Sequence, residues 1–256
     1  MMKIVFIGAG NVATHLATEL YKYDFDIAQV YSRTDESAQS LANLVEAEAI
    51  TDIKNIIDEA DLYIFSVKDS ILEELASRLS SNNGIWIHTA GSIPLNIFEK
   101  YVSKYGVLYP FQTFSKNRKI EWGKVPIFIE ASDSKVLQSL EKTAHILSDK
   151  VTTISSDQRK YLHLTGVFAC NFVNHMYTLS SDILKKAGLP FDVALPLIDE
   201  TAAKVHSIMP KDAQTGPAIR YDENVINTHL SLIEDEKVKE IYRLISENIH
   251  KTSLNP

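Results

Sequence analysis

The stretch Lys3-Ile4-Val5-Phe6-Ile7-Gly8-Ala9-Gly10-Asn11-Val12-Ala13 decides the fold. A short apolar run ends in a glycine turn, and helical spacing begins at once through Val12, Leu16 and Leu20. Strand, tight turn and helix in that order form the phosphate-binding opening of a nucleotide-binding α/β unit. Gly8 lets the chain turn sharply, Gly10 lets a diphosphate approach the backbone, and Ala13 keeps helix and strand close. The free N–H groups at the helix start would then hold the anion. Gly8, Ala9, Gly10, Asn11 and Val12 are therefore expected at the cofactor. The other reading of the string is a purely structural turn.

Working outward, Ile27 to Tyr31 reads as a second strand, ending at Ser32-Arg33-Thr34. An acidic residue there would bind the ribose 2′-hydroxyl of NAD. Two hydroxyls and a guanidinium suit a 2′-phosphate instead, so NADP is favoured over NAD. Asp35 counts against this, or caps the helix that follows. Leu62 to Val67 and Ile85 to His88 are further strands, and their ends should reach the same crevice. Ser66, Val67, Lys68 and Thr89 are thus expected to line the cofactor, with Asp69 as an N-cap. For Lys68 the alternative is plain solvent exposure. His88 beside a glycine turn looks like a site residue. A helix from Pro94, strands near 106–110, 125–129 and 151–154, a short helix at 53–57 and a helix at 134–147 complete the alternation. The fold class is α/β, a doubly wound sheet.

After Ser155 the strand pattern stops. A helix is expected from about 156 to Lys186, closed by Gly188-Leu189-Pro190, with further helices at about 193–206, 224–233 and 238–249. The boundary falls near 155: residues 1–155 bind the cofactor, and 156–256 are all-helical. Within the long helix, Lys160, His163, Asn171 and Asn174 stand among apolar residues. His163, Asn171 and Asn174 fall broadly on one side at 3.6 residues per turn. Lysine or histidine could pass a proton while a hydride arrives, and asparagine could orient a substrate. The plainer reading is hydrogen-bonded polar residues in a bundle or dimer core. Gly166 and Ala169 permit another element to approach closely.

The 256 residues carry a formal net charge of −7, 45% hydrophobic and 23% charged residues, and one cysteine. That excludes an internal disulfide and offers no basic surface for nucleic acid. No run reaches membrane-spanning length and no leader is evident, so a cytoplasmic protein is expected. The scattered histidines give no metal motif.

Several further motifs carry a resemblance: His88-Thr89-Ala90-Gly91-Ser92, Tyr109 to Phe114, Ala169-Cys170-Asn171-Phe172, and Thr215-Gly216-Pro217-Ala218-Ile219-Arg220-Tyr221-Asp222 followed by His229-Leu230. Through them the chain resembles the bacterial family that joins a Rossmann-like domain to the helical domain DUF2520. It is more distantly similar to ketopantoate reductase, pyrroline-5-carboxylate reductase and F420-dependent NADP reductases. The resemblance implies an NADP-dependent reductase, with a helical domain of the 6-phosphogluconate dehydrogenase C-terminal-like type. It also implies a homodimer formed through that domain. Thr215, Arg220 and His229 become substrate-side residues, and Arg220 would suit an anionic small-molecule substrate. A structural Arg220–Asp222 ion pair is the rival view. The family pattern has glycine where Tyr221 stands, so Tyr221 must find another geometry or accept strain. The competing functions are hydride transfer to a small carbonyl, imine or hydroxy compound, an NADP(H) sensor without turnover, and a dimerisation protein with a vestigial crevice.

Overall fold

The computed structural model describes residues 1–254. By compactness the chain divides into two units, Met1–His175 and the residues from Met176 onward.

The first unit is built on an eight-stranded sheet. Its strands are β1 (Lys3–Ile7), β2 (Asp26–Tyr31), β3 (Glu48–Ile50), β4 (Leu62–Phe65), β5 (Ile85–His88), β6 (Tyr105–Pro110), β7 (Ile127–Ala131) and β8 (Val151–Thr153). Their order is β3-β2-β1-β4-β5-β6-β7-β8. The chain reverses its strand order beside β1, which creates the crevice at the carboxyl ends of β1 and β4. Strands β1 to β6 are parallel, β7 runs antiparallel to β6, and β8 is parallel to β7. The reversal at β7 goes with its connection. No α-helix lies between Pro110 and Ile127, only a 3-10 turn at Trp122–Lys124, whereas a parallel return is usually carried by an α-helix packed on the sheet.

Alternation along β1 feeds two cores. Ile4 and Phe6 face one layer, which includes Leu16 and Leu20 of helix α1 (Asn11–Lys22), Leu41 of α2 (Asp35–Ala42) and Leu140 of α4 (Ser134–Leu147). Val5 and Ile7 face the other, with Leu72 and Leu75 of α3 (Asp69–Arg78), Trp86 and Phe98. Wholly apolar strands are what a sheet covered on both faces requires.

Some local expectations are corrected. Asp69 does not cap α3: it is the first helical residue, after Lys68, and its carboxylate accepts from the Ser92 hydroxyl. Asp35 likewise lies in the first turn of α2 behind Thr34. The turns after Pro94 and at Ile53 are 3-10, not α. Helical backbone does extend from Ser156 to Lys186, as α5 (Ser156–Gly166), a π turn at Val167–Phe172, and α6 (Val173–Lys186). A π turn winds more widely, so Asn171 and Asn174 leave the 3.6-residue phase that linked them to His163.

The second unit is helical throughout its described residues. After α6 come α7 (Leu195–Lys204), α8 (Pro210–Ala213), α9 (Pro217–Arg220), α10 (Glu223–Leu232) and α11 (Glu236–Leu254). Tyr221 ends α9 in the left-handed region, at φ 50° and ψ 51°. No helix among the described residues is long and apolar enough to cross a membrane.

Candidate functional site

The amide of Gly8 donates to the Tyr31 carbonyl at 2.8 Å, which closes β1 against β2. Gly8 has φ +118°, and a Cβ there would lie 2.2 Å from the Ser66 carbonyl oxygen. Two neighbouring parallel strands therefore meet at a point that only glycine fits. Gly10 is the N-cap of α1 and is exposed, and a Cβ there would meet nothing within 4 Å. The first turn of α1 has no side-chain cap and no acidic residue. Open space beside unpartnered helix-start amides is what a diphosphate needs, so the residues present fit a dinucleotide.

The rest of the crevice is assembled from strand ends. Ser32 and Thr34 flank the exposed Arg33 past β2, and Thr34 donates to the Ser37 hydroxyl at 2.9 Å. At the ends of β4 and β5 the Thr89 hydroxyl donates to the Ser66 hydroxyl at 3.1 Å. Val67 is half-buried beside Gly8, and Lys68 is exposed. Two residues of α1 contribute in a way the sequence pattern did not disclose. Asn11 Nδ2 donates to the Phe114 carbonyl at 2.9 Å, and His15 Nε2 lies 2.8 Å from the Ser115 carbonyl. They pin the segment after β6 against the start of the helix.

On α5, the expected His163 joins this edge and Lys160 does not. His163 Nδ1 lies 3.2 Å from the Tyr109 hydroxyl of β6. Its ring rests on Gly91, where a Cβ would come within 2.6 Å of Nδ1. Gly166 packs against Phe111 so closely that a Cβ would come within 3.0 Å of the ring, which is the close approach its size suggested. Lys160 is exposed and pairs with Asp157 at 3.0 Å. Asn171 lies exposed on the π turn.

The residue that sequence reasoning passed over is Arg159, only 1% exposed. Its guanidinium donates to Glu130 on β7, to the Ile93 carbonyl and to the Ser156 hydroxyl, the last at 3.2 Å. Glu130 also accepts from the Ser156 amide and hydroxyl, each at 2.8 Å. Arg159 stands one turn before His163, and that spacing was the available signal. Its partner, 29 positions earlier, was not visible.

His88 is corrected as an acid–base candidate. It is wholly buried beside Phe98, and Nδ1 accepts from the Ala90 amide at 3.2 Å. The proton is thus on Nε2, which has no partner in hydrogen-bonding geometry. Burial, with the Arg159 charge second, lowers its pKa to about 3, and the Pro94 carbonyl opposes this only in part. A neutral imidazole sealed from solvent is a structural group. Tyr109 shifts the other way. Burial and, to a smaller extent, Asp69 raise its pKa, against a lowering by Arg159.

Arg220 and His229 belong to the second unit. The Arg220–Asp222 ion pair does not form. Asp222 instead caps α10 by accepting from the Val225 amide at 3.3 Å, and Arg220 is exposed. His229 Nδ1 lies 2.8 Å from the Tyr242 hydroxyl. Tyr221 stacks on His250 with ring centroids 4.8 Å apart.

With this geometry in view, the chain was compared with known proteins. A family model described as NADP oxidoreductase, coenzyme F420-dependent, matches residues 3–90. A second, the domain of unknown function DUF2520, matches residues 125–249 and so takes in β7, α4 and β8. Comparison with curated proteins yields no match. The solved structure of BF3122 from Bacteroides fragilis, provisionally named an NADP oxidoreductase, is 52% identical over 98% of each chain, with a TM-score of 0.92. Protein TM1727 from Thermotoga maritima is 20% identical over 98% of this chain and 100% of its own, at 0.81. A reductive aminase from Aspergillus terreus, solved with NADPH and ethyl-5-oxohexanoate, is 14% identical over 98% and 94%, at 0.74. The last two share the fold. The identity to the Bacteroides protein, together with the two matched models, places this chain in the NADP oxidoreductase family that joins an F420-dependent-type oxidoreductase domain to a DUF2520 domain.

Proposed function

We propose that the chain is an NADPH-preferring oxidoreductase acting on a small carbonyl, imine or hydroxy compound. Residues 1–155 form its cofactor domain, and residues 156–256 form a substrate and dimerisation domain of the 6-phosphogluconate dehydrogenase C-terminal-like type. The observation that carries the reading is the open space at Gly10 beside the uncapped start of α1. NADPH, when bound, supplies the hydride. Gly10, Asn11 and Val12 hold the diphosphate on backbone amides. Ser32, Arg33 and Thr34 receive the 2′-phosphate, for which Arg33 offers an exposed fork of donors. Ser66 and Thr89 line the inner end of the crevice. His163 is the proton-handling group that faces this edge, and Arg220 is reserved for an anionic part of the substrate. Exposed apolar residues of the second unit, Leu197, Met209 and Leu232 among them, support association with a second copy.

Separate titrations of NADPH and NADH test the assignment. Arg33→Ala should weaken NADPH at least about tenfold, or ~1.4 kcal/mol, and leave NADH nearly unchanged. Gly10→Val should weaken both by a similar factor, because its Cβ fills the open space and meets no protein atom within 4 Å. Equal losses of the two coenzymes in Arg33→Ala would reject the 2′-phosphate assignment. Undiminished binding in Gly10→Val would reject the cradle.

A further inference from the structure

We propose that Tyr109 delivers the proton that accompanies hydride transfer, and that His163 orients and reprotonates it. The proposal rests on the oxidoreductase reading above and adds the residue that completes its chemistry.

The sheet register brings Tyr109 to the reaction edge. β5 and β6 are parallel with His88 opposite Val107 as the last pair, so Tyr109, two residues further, lies past the carboxyl end of β5, and His163 touches both it and Gly91. That is the edge at which Ser66 and Thr89 meet. The ring is half-buried against Phe111, centroids 6.2 Å apart. Its hydroxyl lies 3.2 Å from His163 Nδ1, and the two rings meet edge-on at 6.3 Å. His163 is seated on Gly91 on one side and is otherwise exposed. Tyr109 is therefore the half-buried member of the pair, and His163 is the member that can exchange protons with water.

The neighbouring groups leave this pair as the proton route. Lys160 is held by Asp157 at the surface. His88 is sealed in the core. Arg159 is committed to Glu130, and Asp69 accepts from Ser92. Asn171 can orient a substrate but does not release a proton at neutral pH. Burial and Asp69 keep the Tyr109 phenol protonated, against the pull of Arg159. Tyr109 is thus poised as an acid, and a donor is placed to stabilise the oxygen once its proton has left.

The step balances with one hydride and one proton. As the substrate carbon accepts hydride from the reduced nicotinamide, the C=O π bond (or C=N of a neutral imine) breaks, and its heteroatom takes the proton of Tyr109 Oη. The Nδ1–H of His163 passes its proton to the phenolate oxygen as Nε2 takes one proton from the solvent, and exchange with water then moves the ring proton back to Nδ1, so that one proton is drawn from solvent per turnover. The product is an alcohol or amine with both residues restored.

The experiment has a readout that needs no substrate. The ring nitrogens of His163 are observed by nitrogen-detected NMR at one fixed pH in the full chain and in Tyr109→Phe, with folding checked by thermal unfolding and NADPH binding. Loss of the hydroxyl should move the Nδ1 resonance, since the hydrogen bond to that ring nitrogen is gone. Turnover with a panel of ketones and imines should then fall by about 10²–10⁴-fold in Tyr109→Phe. NADPH affinity should be unchanged, and His163→Gln, which keeps a donor, should fall less. An unmoved His163 Nδ1 resonance, or undiminished turnover in Tyr109→Phe, overturns the proposal. Failure of the unsubstituted chain to oxidise NADPH with any compound, with the coupling intact, overturns the oxidoreductase reading and the role of the pair with it.

Discussion

In the unit Met1–His175, Ile4, Val5, Phe6, Ile7, Ile64 and Trp86 are wholly buried, whereas from Met176 on only Ala218, Ile226 and Ser246 are buried among the described residues. In that second unit Leu197, Met209 and Leu232 are each 71% exposed. The sheet of the first unit closes its own core on both faces, although Tyr161 and Phe168 on α5 and the π turn of that unit are exposed. The second makes amphipathic helices whose apolar faces it does not itself cover. Burying each such side chain is worth roughly 1.5–3 kcal/mol, so the second unit has stability still to gain from a partner surface. The sheet of the first unit is already covered on both faces, which leaves its strand ends free to form a site.

The largest expected effect breaks the first unit at its tightest seam. Gly8→Ala sets a methyl group 2.2 Å from the Ser66 carbonyl at a backbone angle of φ +118°. Neither strand can yield without losing its ladder. The loss should exceed about 4 kcal/mol in denaturant unfolding. A mild effect would mean that β1 and β4 are not held rigidly at the crevice, and the contrast between the units would weaken.

A second test concerns acid. His88 is neutral in the folded chain and has its ordinary pKa of about 6.5 when unfolded. Because the folded value is lowered to about 3, the unfolded chain binds more protons below pH 6.5. Stability is therefore full above that pH and falls as pH drops toward 3, by up to ~1.4 kcal/mol per pH unit from this residue alone. His88→Asn keeps an acceptor for the Ala90 amide and removes the titration. Its unfolding free energy should decline more gently between pH 6.5 and 3 than that of the parent. Parallel pH profiles would show that His88 is not sealed in the core.

These two residues also show what could be read from sequence and why. The cradle around Gly8 and Gly10 was legible because its logic is local: a strand, a turn and a helix within a dozen residues. The alternation of strands and helices followed from hydrophobic period for the same reason. Arg159 was hidden because Glu130 and the Ile93 carbonyl reach it only through the fold. Tyr109 was visible as part of a motif, but His163 is 54 positions away and nothing in either neighbourhood announces the pair. His88 next to a glycine turn looked like a site residue, since a polar side chain at a strand end has that address. Which way it points is decided by Phe98 and the second core. The π turn at Val167–Phe172 breaks the one assumption, a constant 3.6-residue period, on which the facing of Asn171 and Asn174 rested.

For the second unit the sharper test is association. If its exposed apolar faces are covered by a second copy, the native chain sediments as a dimer. Leu197→Glu should then weaken the dimer at least tenfold, about 1.4 kcal/mol, because a charge replaces a side chain that association buries. A chain that is monomeric at high concentration, or a dimer indifferent to this change, would show that the apolar surface serves something else.

The smallest expected effect isolates strain in the same unit. Tyr221 holds φ 50° and ψ 51°, a conformation that costs an ordinary residue about 1–2 kcal/mol. Its ring, stacked on His250, offsets part of that cost. Comparing Tyr221→Gly with Tyr221→Ala removes the ring from both, so the difference between them reports backbone alone. Glycine should be the more stable by about 1 kcal/mol, the relieved strain less the extra freedom glycine gives the unfolded chain. Each variant taken against the parent then gives the worth of the ring contact. If alanine equals or exceeds glycine in thermal unfolding, the left-handed turn is not held in solution. Arg220 would then be held on one side only, by the Ile219 carbonyl that His250 and Ser253 contact, and its assignment to a substrate anion would lose half of its mount.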